Sequence, residues 1–240
     1  MIASAMGESD RRFSVPLYTL SEASRYLLVP RSTLDTWAHG YERQPVGRPV
    51  VKGTPIITAI PQRERGVAEL PFVGVAEAYV LNAFRRAGVP MQRIRPSIDW
   101  LLRNVGPHAL ASRDLYTDGA EVLWHFAQQS GEGSPDDQVI KHLIVPRSGQ
   151  YVFKDIVEHY LRQITFADKY ASMIRLTQFG DADVVLDPQR GFGQPVFSRS
   201  GAKVADALGP LRAGETFEAV AEDYGVSECE LRDALDSISA

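Results

Sequence analysis

Pro30 is the residue that most constrains this chain. It divides residues 18 to 41, YTLSEASRYLLVPRSTLDTWAHGY, into two short amphipathic helical patterns. Proline lacks the amide hydrogen that a helix interior needs, and it pushes the residue before it, Val29, toward extended backbone. On the N-terminal side Leu20, Ala23, Tyr26 and Leu27 recur at helical spacing and form one apolar face. Ser21 is the expected N-cap, with no acid three residues on to complete a capping box. On the C-terminal side a helix from Arg31 to about Ala38 puts Leu34 and Trp37 on its buried side. Arg31, Ser32, Thr33 and Thr36 are left outside, near the helix end that meets base edges in helix-turn-helix proteins. The pattern predicts a DNA-binding helix-turn-helix; the alternative is a helical corner with a purely structural role.

Net charge argues against nucleic acid until it is resolved along the chain. The whole sequence carries -4. Residues 11 to 65 hold nine Arg and Lys against four acids, a local balance of +5. Residues 205 to 240 hold nine acids against Arg212 and Arg232, a balance of -7. Phosphate affinity comes from clustered cations, so the two ends are expected to have different partners. Within the basic end, Arg25, Arg43, Arg48 and Lys52 are the expected phosphate anchors. The run Arg48 to Ile57 reads as a hairpin around Lys52-Gly53-Thr54, the wing of a winged helix.

Several function classes recede on inspection. With 44% hydrophobic and 23% charged residues in 240, the chain is an ordinary globular protein able to bury a core. It has no apolar run long enough for a membrane helix and no signal-like N-terminus, and a single cysteine, Cys229, suits a reducing compartment; a cytoplasmic protein is expected. His39, His108, His125, His142 and His159 lack metal-ligand spacing, and Asp181, Asp183 and Asp187 read as solvated turn residues before a cation site. Gly191-Phe192-Gly193 is too short for a phosphate-cradling loop. No catalytic residue, metal or cofactor is expected.

The remainder reads as mainly α with small β-hairpins. Residues 1 to 12 are expected to be disordered, and helices are expected at Val73 to Ala87 and Pro90 to Val105. Arg85, Arg86, Arg93, Arg95 and Arg103 on that pair either extend the basic surface or form a solvated face. Leu115 to Trp124 reads as a hairpin around Asp118-Gly119, and Gln129 to Asp137 as a flexible loop. Val139 to Val145 with Tyr151 to Phe153 reads as a second hairpin, followed by a helix from Asp155 to Leu161. Further on come a β-rich run at 183 to 188, a helix from Lys203 to Leu208 and a turn at Leu211 to Thr216. A second helix-turn-helix follows, with Thr216 and Ser227 as caps and Gly225 as the stop. Glu228, Glu230 and Asp233 on its outer face would repel phosphate, so this unit is expected to bind protein. Three units result: a winged helix-turn-helix over 13–110, a mixed α+β connector over 111–178 and a C-terminal helix-turn-helix-like unit over 179–240.

The segment VVLDPQRGFGQPVFSRSGAKVADAL with LRAGETFEAVAEDYGVSECELRDAL resembles a small antitoxin-associated domain of unknown function, found beside PIN-type ribonuclease toxins. Its usual Gly-Thr-Arg after the Gly-x-Pro-Val element is replaced here by Ser200-Gly201-Ala202-Lys203. The N-terminal unit is similar to the MerR-type helix-turn-helix, and the two ends together resemble long VapB-type antitoxins. That resemblance implies a homodimer that binds operator DNA, represses its own operon and neutralises a PIN-type toxin. Arg190, Arg199, Lys203 and Arg212 are the candidates to meet the toxin's acidic metal ligands. The rival reading is a MerR-like stand-alone transcription regulator with a C-terminal sensor or dimerisation domain.

Overall fold

The computed structural model describes residues 10–44, 50–64, 66–148 and 150–239. Helices predominate. The chain opens with α1 (Arg11–Ser14), α2 (Leu20–Leu27), α3 (Arg31–His39) and a hairpin of β1 (Tyr41–Arg43) and β2 (Val51–Gly53). Two longer helices follow, α4 (Phe72–Arg86) and α5 (Met91–Asn104), then α6 (Arg113–Thr117), α7 (Gly119–Gln129) and α8 (Pro135–Leu143). A second hairpin, β3 (Ile144–Arg147) with β4 (Gln150–Phe153), leads to α9 (Asp155–Leu161). Strands β5 (Ile164–Ala167), β6 (Tyr170–Arg175), β7 (Val184–Leu186) and β8 (Val196–Phe197) form a four-stranded antiparallel sheet in chain order. The chain closes with α10 (Val204–Arg212), α11 (Phe217–Tyr224) and α12 (Glu228–Ser239). No described helix is long and apolar enough to cross a membrane.

Helix α4 is the axis of the molecule. Every residue from Phe72 to Phe84 is buried, the signature of a helix surrounded on all sides. It packs against α1, α2, α9 and β6, and one continuous apolar cluster runs from Tyr18 through α4 to Ala234 in α12. Two of its buried polar groups have assigned work. Asn82 donates to the Leu27 carbonyl at 3.1 Å, satisfying an orphan acceptor at the end of α2. Glu77, 1% exposed, accepts from the Thr58 backbone amide at 2.5 Å and from the Thr58 hydroxyl at 3.1 Å, and lies 3.1 Å from His108 Nδ1.

Several expected elements shift for identifiable reasons. The N-cap of α2 is Thr19, two residues before Ser21, and a capping box is present after all. Thr19 Oγ1 accepts from the Glu22 amide at 3.1 Å, while the Glu22 carboxylate accepts from the Thr19 amide at 2.9 Å. Asp10 to Arg12 are ordered: Arg12 pairs with Asp10 and donates to the Ala167 and Tyr170 carbonyls, pinning α1 to the β5–β6 hairpin. In the wing it is Val51–Gly53 that forms a strand, with Glu42 opposite Lys52, and Gly53 is needed because the Tyr41 ring occupies the space of a Cβ.

The expected hairpin at Leu115 to Trp124 is the helical pair α6 and α7. Gly119 does not take the left-handed backbone of a type I′ turn; a Cβ there would lie 2.7 Å from Leu115 Cδ1. The glycine serves helix packing, and Leu115, Ala120, Leu123 and Ala127 are buried together. The expected loop at 129 to 137 ends early, because Ser134 caps α8 with Pro135 at its first position. Val139, Ile140 and Leu143 therefore bury as a helical stripe, and only Ile144–Arg147 remains as strand. Helix α10 runs past Leu208 to Arg212, the expected turn follows at residues 213–214, and Thr216, Gly225 and Ser227 cap and stop helices as the sequence predicts.

Burial pushes the Glu77 carboxyl above its ordinary value of 4.5, outweighing the opposing hydrogen bonds from His108 and Thr58. Glu77 therefore contributes most stability below about pH 4.5, and that contribution is lost as pH rises through the elevated folded-state value. Glu77→Gln, which keeps an acceptor for Thr58, should flatten the pH dependence of unfolding measured by chemical denaturation between pH 5 and 8. Glu77→Ala orphans the Thr58 amide and should cost about 2–4 kcal/mol. Identical pH profiles for parent and Gln variant would contradict this account.

Candidate nucleic-acid and partner interfaces

The turn between α2 and α3 is held by backbone and side-chain hydrogen bonds. Leu28 caps α2 with left-handed φ of 52°, and the Ser24 hydroxyl donates to the Val29 carbonyl at 2.6 Å. Val29, Leu34 and Trp37 are buried, which fixes α3 with its opposite face outward. The hairpin return is tied to the same helix: the Trp37 carbonyl accepts from the Ile56 and Ile57 amides at 2.8 and 3.2 Å.

Ser32, Thr33 and Thr36 of α3 line a groove of about 540 Å³ whose other walls carry Arg43 of β1, Arg85 of α4 and Arg95 of α5. Arg31 stands exposed at the first position of α3. The Thr36 hydroxyl donates back to the Ser32 carbonyl at 2.9 Å, so its orientation is set by its own helix. Tyr41 organises the cations of the hairpin, with Arg43 and Arg95 guanidinium carbons 5.3 and 5.4 Å from its ring centroid. Arg95 also donates to the Thr54 carbonyl, joining α5 to the wing. Arg85 makes no ion pair with a described residue. Hydroxyl-bearing side chains on a helix face, ringed by guanidinium groups, suit base edges at the centre and phosphates at the rim.

Not every expected DNA residue joins this groove. Lys52 is on the wing but pairs with Glu42 across the strands at 2.9 Å, both side chains being exposed. Arg48 lies outside the described residues. Arg25 is exposed on α2, away from the groove, and lines a cavity of about 480 Å³ shared with Arg212 of α10. One residue expected at DNA and one expected at the toxin thus face the same space, rimmed by the exposed Leu28 and Ile238.

The other expected partner residues surround the turn before β8. Arg190 donates to Asp187 Oδ2 at 2.9 Å and to the Ser198 carbonyl at 2.7 Å, so it braces the turn. Lys203 lies over the Phe192 ring, 5.5 Å from its centroid, and 3.8 Å from Asp206. Arg199 is exposed. The three aspartates considered for a cation are dispersed: Asp183 pairs with Arg175, Asp187 with Arg190, and the Asp181 amide donates to Asp233. Among the described residues no group of three or more His, Cys, Asp or Glu side chains is placed to hold a metal.

Residue-by-residue reading of the sequence left Arg85 and Arg95 undecided and passed over Phe192. The arginines sit on helices far along the chain, and only packing brings them to α3. Phe192 does carry a signal, an aromatic residue between two glycines.

Comparison with known proteins agrees with this layout. Residues 16–98 match a family described as "Putative DNA-binding HTH domain", and residues 184–236 match "Protein of unknown function (DUF433)". The chain is 74% identical to "Putative antitoxin VapB45" of Mycobacterium tuberculosis (strain ATCC 25618 / H37Rv), over 97% of this chain and 98% of that protein. It is 27% identical to "Uncharacterized protein Rv2308" of the same organism, over 92% and 89%. It also superposes on an X-ray crystal structure of Rv2018 from Mycobacterium tuberculosis with a TM-score of 0.83. The identity there is 72%, covering 94% of this chain and all of that one.

The turn before β8 is seated on the lead-in to α2. Gly193 has φ of 78°, and a Cβ on it would lie 2.6 Å from the buried Tyr18 hydroxyl oxygen. Gly193→Ala should therefore lower the unfolding free energy by about 2 kcal/mol or more, through backbone strain and overpacking together. Chemical denaturation checks this, and an unchanged midpoint would show that the turn is not packed this way.

Proposed function

The chain belongs to the family of the VapB45 antitoxin, and from that premise we propose that it neutralises a PIN-type ribonuclease toxin and represses its own operon as a DNA-bound homodimer. The observation that carries the DNA half is the groove joining Ser32, Thr33 and Thr36 to Arg43, Arg85 and Arg95. In this reading Arg31, Ser32, Thr33 and Thr36 approach bases, while Arg43, Arg48, Lys52, Arg85 and Arg95 hold phosphates. Arg25, on the α2 side, reaches only backbone at the edge of the site.

The division of labour follows charge. Residues 13–110 read the operator, 111–178 connect, and 179–240 capture the toxin, with Arg199, Lys203 and Arg212 available to acidic groups and Arg190 supporting the turn between them. The protein acts by binding in the cytoplasm, with no catalytic step, cofactor or metal assigned to it. A second reading, a stand-alone regulator with a C-terminal sensor, is favoured by one feature: the cavity that Arg25 and Arg212 share between α2 and α10.

Co-expression with the product of the adjacent gene separates the two. Recovery of a stable complex, with relief of that product's growth toxicity, supports the antitoxin; no complex and no relief supports the regulator. For the DNA half, Arg85→Gln should weaken operator binding equally across sequences and flatten its salt dependence by about one unit of slope. Lys52→Gln should do less, because Glu42 already offsets that charge. Thr33→Ala should change discrimination at one base pair, by roughly 1 kcal/mol, and leave the salt slope alone. Parental salt slopes in the Arg85 variant would remove the groove from the phosphate path.

A further inference from the structure

The turn at residues 191 to 193 departs sharply from ordinary backbone preference. Three successive residues take left-handed φ, 55° at Gly191, 56° at Phe192 and 78° at Gly193. Both glycines are sterically required. A Cβ on Gly191 would lie 2.6 Å from Val196 Cγ1, and one on Gly193 would lie 2.6 Å from the Tyr18 hydroxyl. The middle position has room for a side chain, and it carries a phenylalanine that is 79% exposed. An aromatic residue in this backbone region pays a steric cost that asparagine or glycine largely avoids. Backbone hydrogen bonds from Gly193 to Arg190 and from Gln194 to Gly191 close the turn around Phe192, but the ring itself is left unburied, its neighbour being the Lys203 ammonium. A local rule broken without internal compensation points to function outside the fold.

The surroundings indicate what covers the ring. Two cations follow the turn: Lys203, whose ammonium lies over the ring and 3.8 Å from Asp206, and the exposed Arg199, while the segment after them, residues 205 to 240, carries nine acids against two arginines. A net charge of -7 in that adjoining segment disfavours a phosphate backbone as the partner of this unit and favours a protein. The turn is also pre-organised: Arg190 bridges Asp187 before it and Ser198 after it, and Gly193 is seated on Tyr18. Little ordering is left to lose on binding, the condition under which an exposed aromatic contributes most to affinity.

We propose that Phe192 is the anchor residue for the toxin, inserted into an apolar recess whose rim carries carboxylates that meet Lys203 and Arg199. This rests on the toxin-capture reading above and adds to it the contact that makes it.

The full-length Phe192→Asn variant tests the proposal, since asparagine tolerates left-handed backbone. Three quantities are compared with the parent: affinity for the co-expressed adjacent-gene product, thermal midpoint of the chain alone, and operator affinity. The expected result is partner affinity weaker by about thirtyfold or more, with an equal or higher midpoint and unchanged operator binding. Phe192→Leu should fall between, retaining apolar contact without the ring. A lower midpoint with parental partner affinity would make Phe192 a structural residue and overturn the proposal. A changed solution mass of the chain alone, again with parental partner affinity, would assign the ring to a contact between two copies and overturn it equally. If the parent captures no partner, both readings fall; if parent and variant capture it equally, only this one does.

Discussion

The buried length of α4 is the constraint on which the rest of the structure depends. Phe72 to Phe84 have no exposed side, so the helix is stable only when other elements enclose it completely. Each of its fully buried Val, Leu and Phe side chains contributes roughly 1.5–3 kcal/mol by leaving water. The enclosing elements come from distant parts of the chain: α2 on one side, α9 and strand β6 on others. Asn82 fixes the end of α2 through the Leu27 carbonyl, and Glu77 fixes the segments on either side of α4 and α5 through Thr58 and His108. The helix-turn-helix is therefore braced by an internal scaffold.

That bracing shapes both candidate surfaces. Arg85 near the end of α4 and Arg95 on α5, which packs on α7 and α8, stand beside the exposed face of α3. Tyr41 then collects Arg43 and Arg95 at the base of the wing. At the other end, the glycine-rich turn that presents Phe192 is pressed against Tyr18, the residue leading into α2. The Gln178 side chain donates to the Tyr26 carbonyl at 2.7 Å, and the Ser237 hydroxyl donates to the Gln178 carbonyl at 2.7 Å. The helix-turn-helix and the C-terminal segment meet directly where Gly193 faces Tyr18, and Gln178 bridges them between Tyr26 and Ser237.

Much of this was legible beforehand where local rules and burial agree. The break at Pro30, the outward face of α3, the helix Asp155–Leu161 and the caps Thr216, Gly225 and Ser227 depend on short-range chemistry and follow from it. Failures came where a local signal had two physical meanings. Asp118-Gly119 read as a tight turn, but its glycine relieves a close approach to Leu115 between two helices. Val139 to Val145 reads as one arm of a hairpin, but Ser134 and Pro135 start a helix that carries Val139 to Leu143 inward. Of the site, the hydroxyl-bearing residues of α3 were legible because they lie within one helix.

By itself, then, the sequence determined a mainly helical protein with a basic helix-turn-helix at one end, an acidic helical pair at the other and the likeness to VapB-type antitoxins. The helical content and the two helix pairs are carried by periodicity, capping residues and charge order, whereas the likeness rests on a motif resemblance that those rules do not supply. Only the tertiary structure decided which cations attend α3, that Arg25 and Arg212 share a cavity, that Arg190 braces a turn, and that Phe192 is left in water. Each of these depends on elements brought together around α4 from far along the chain. Their positions follow from the packing of a common core, and no local pattern encodes it.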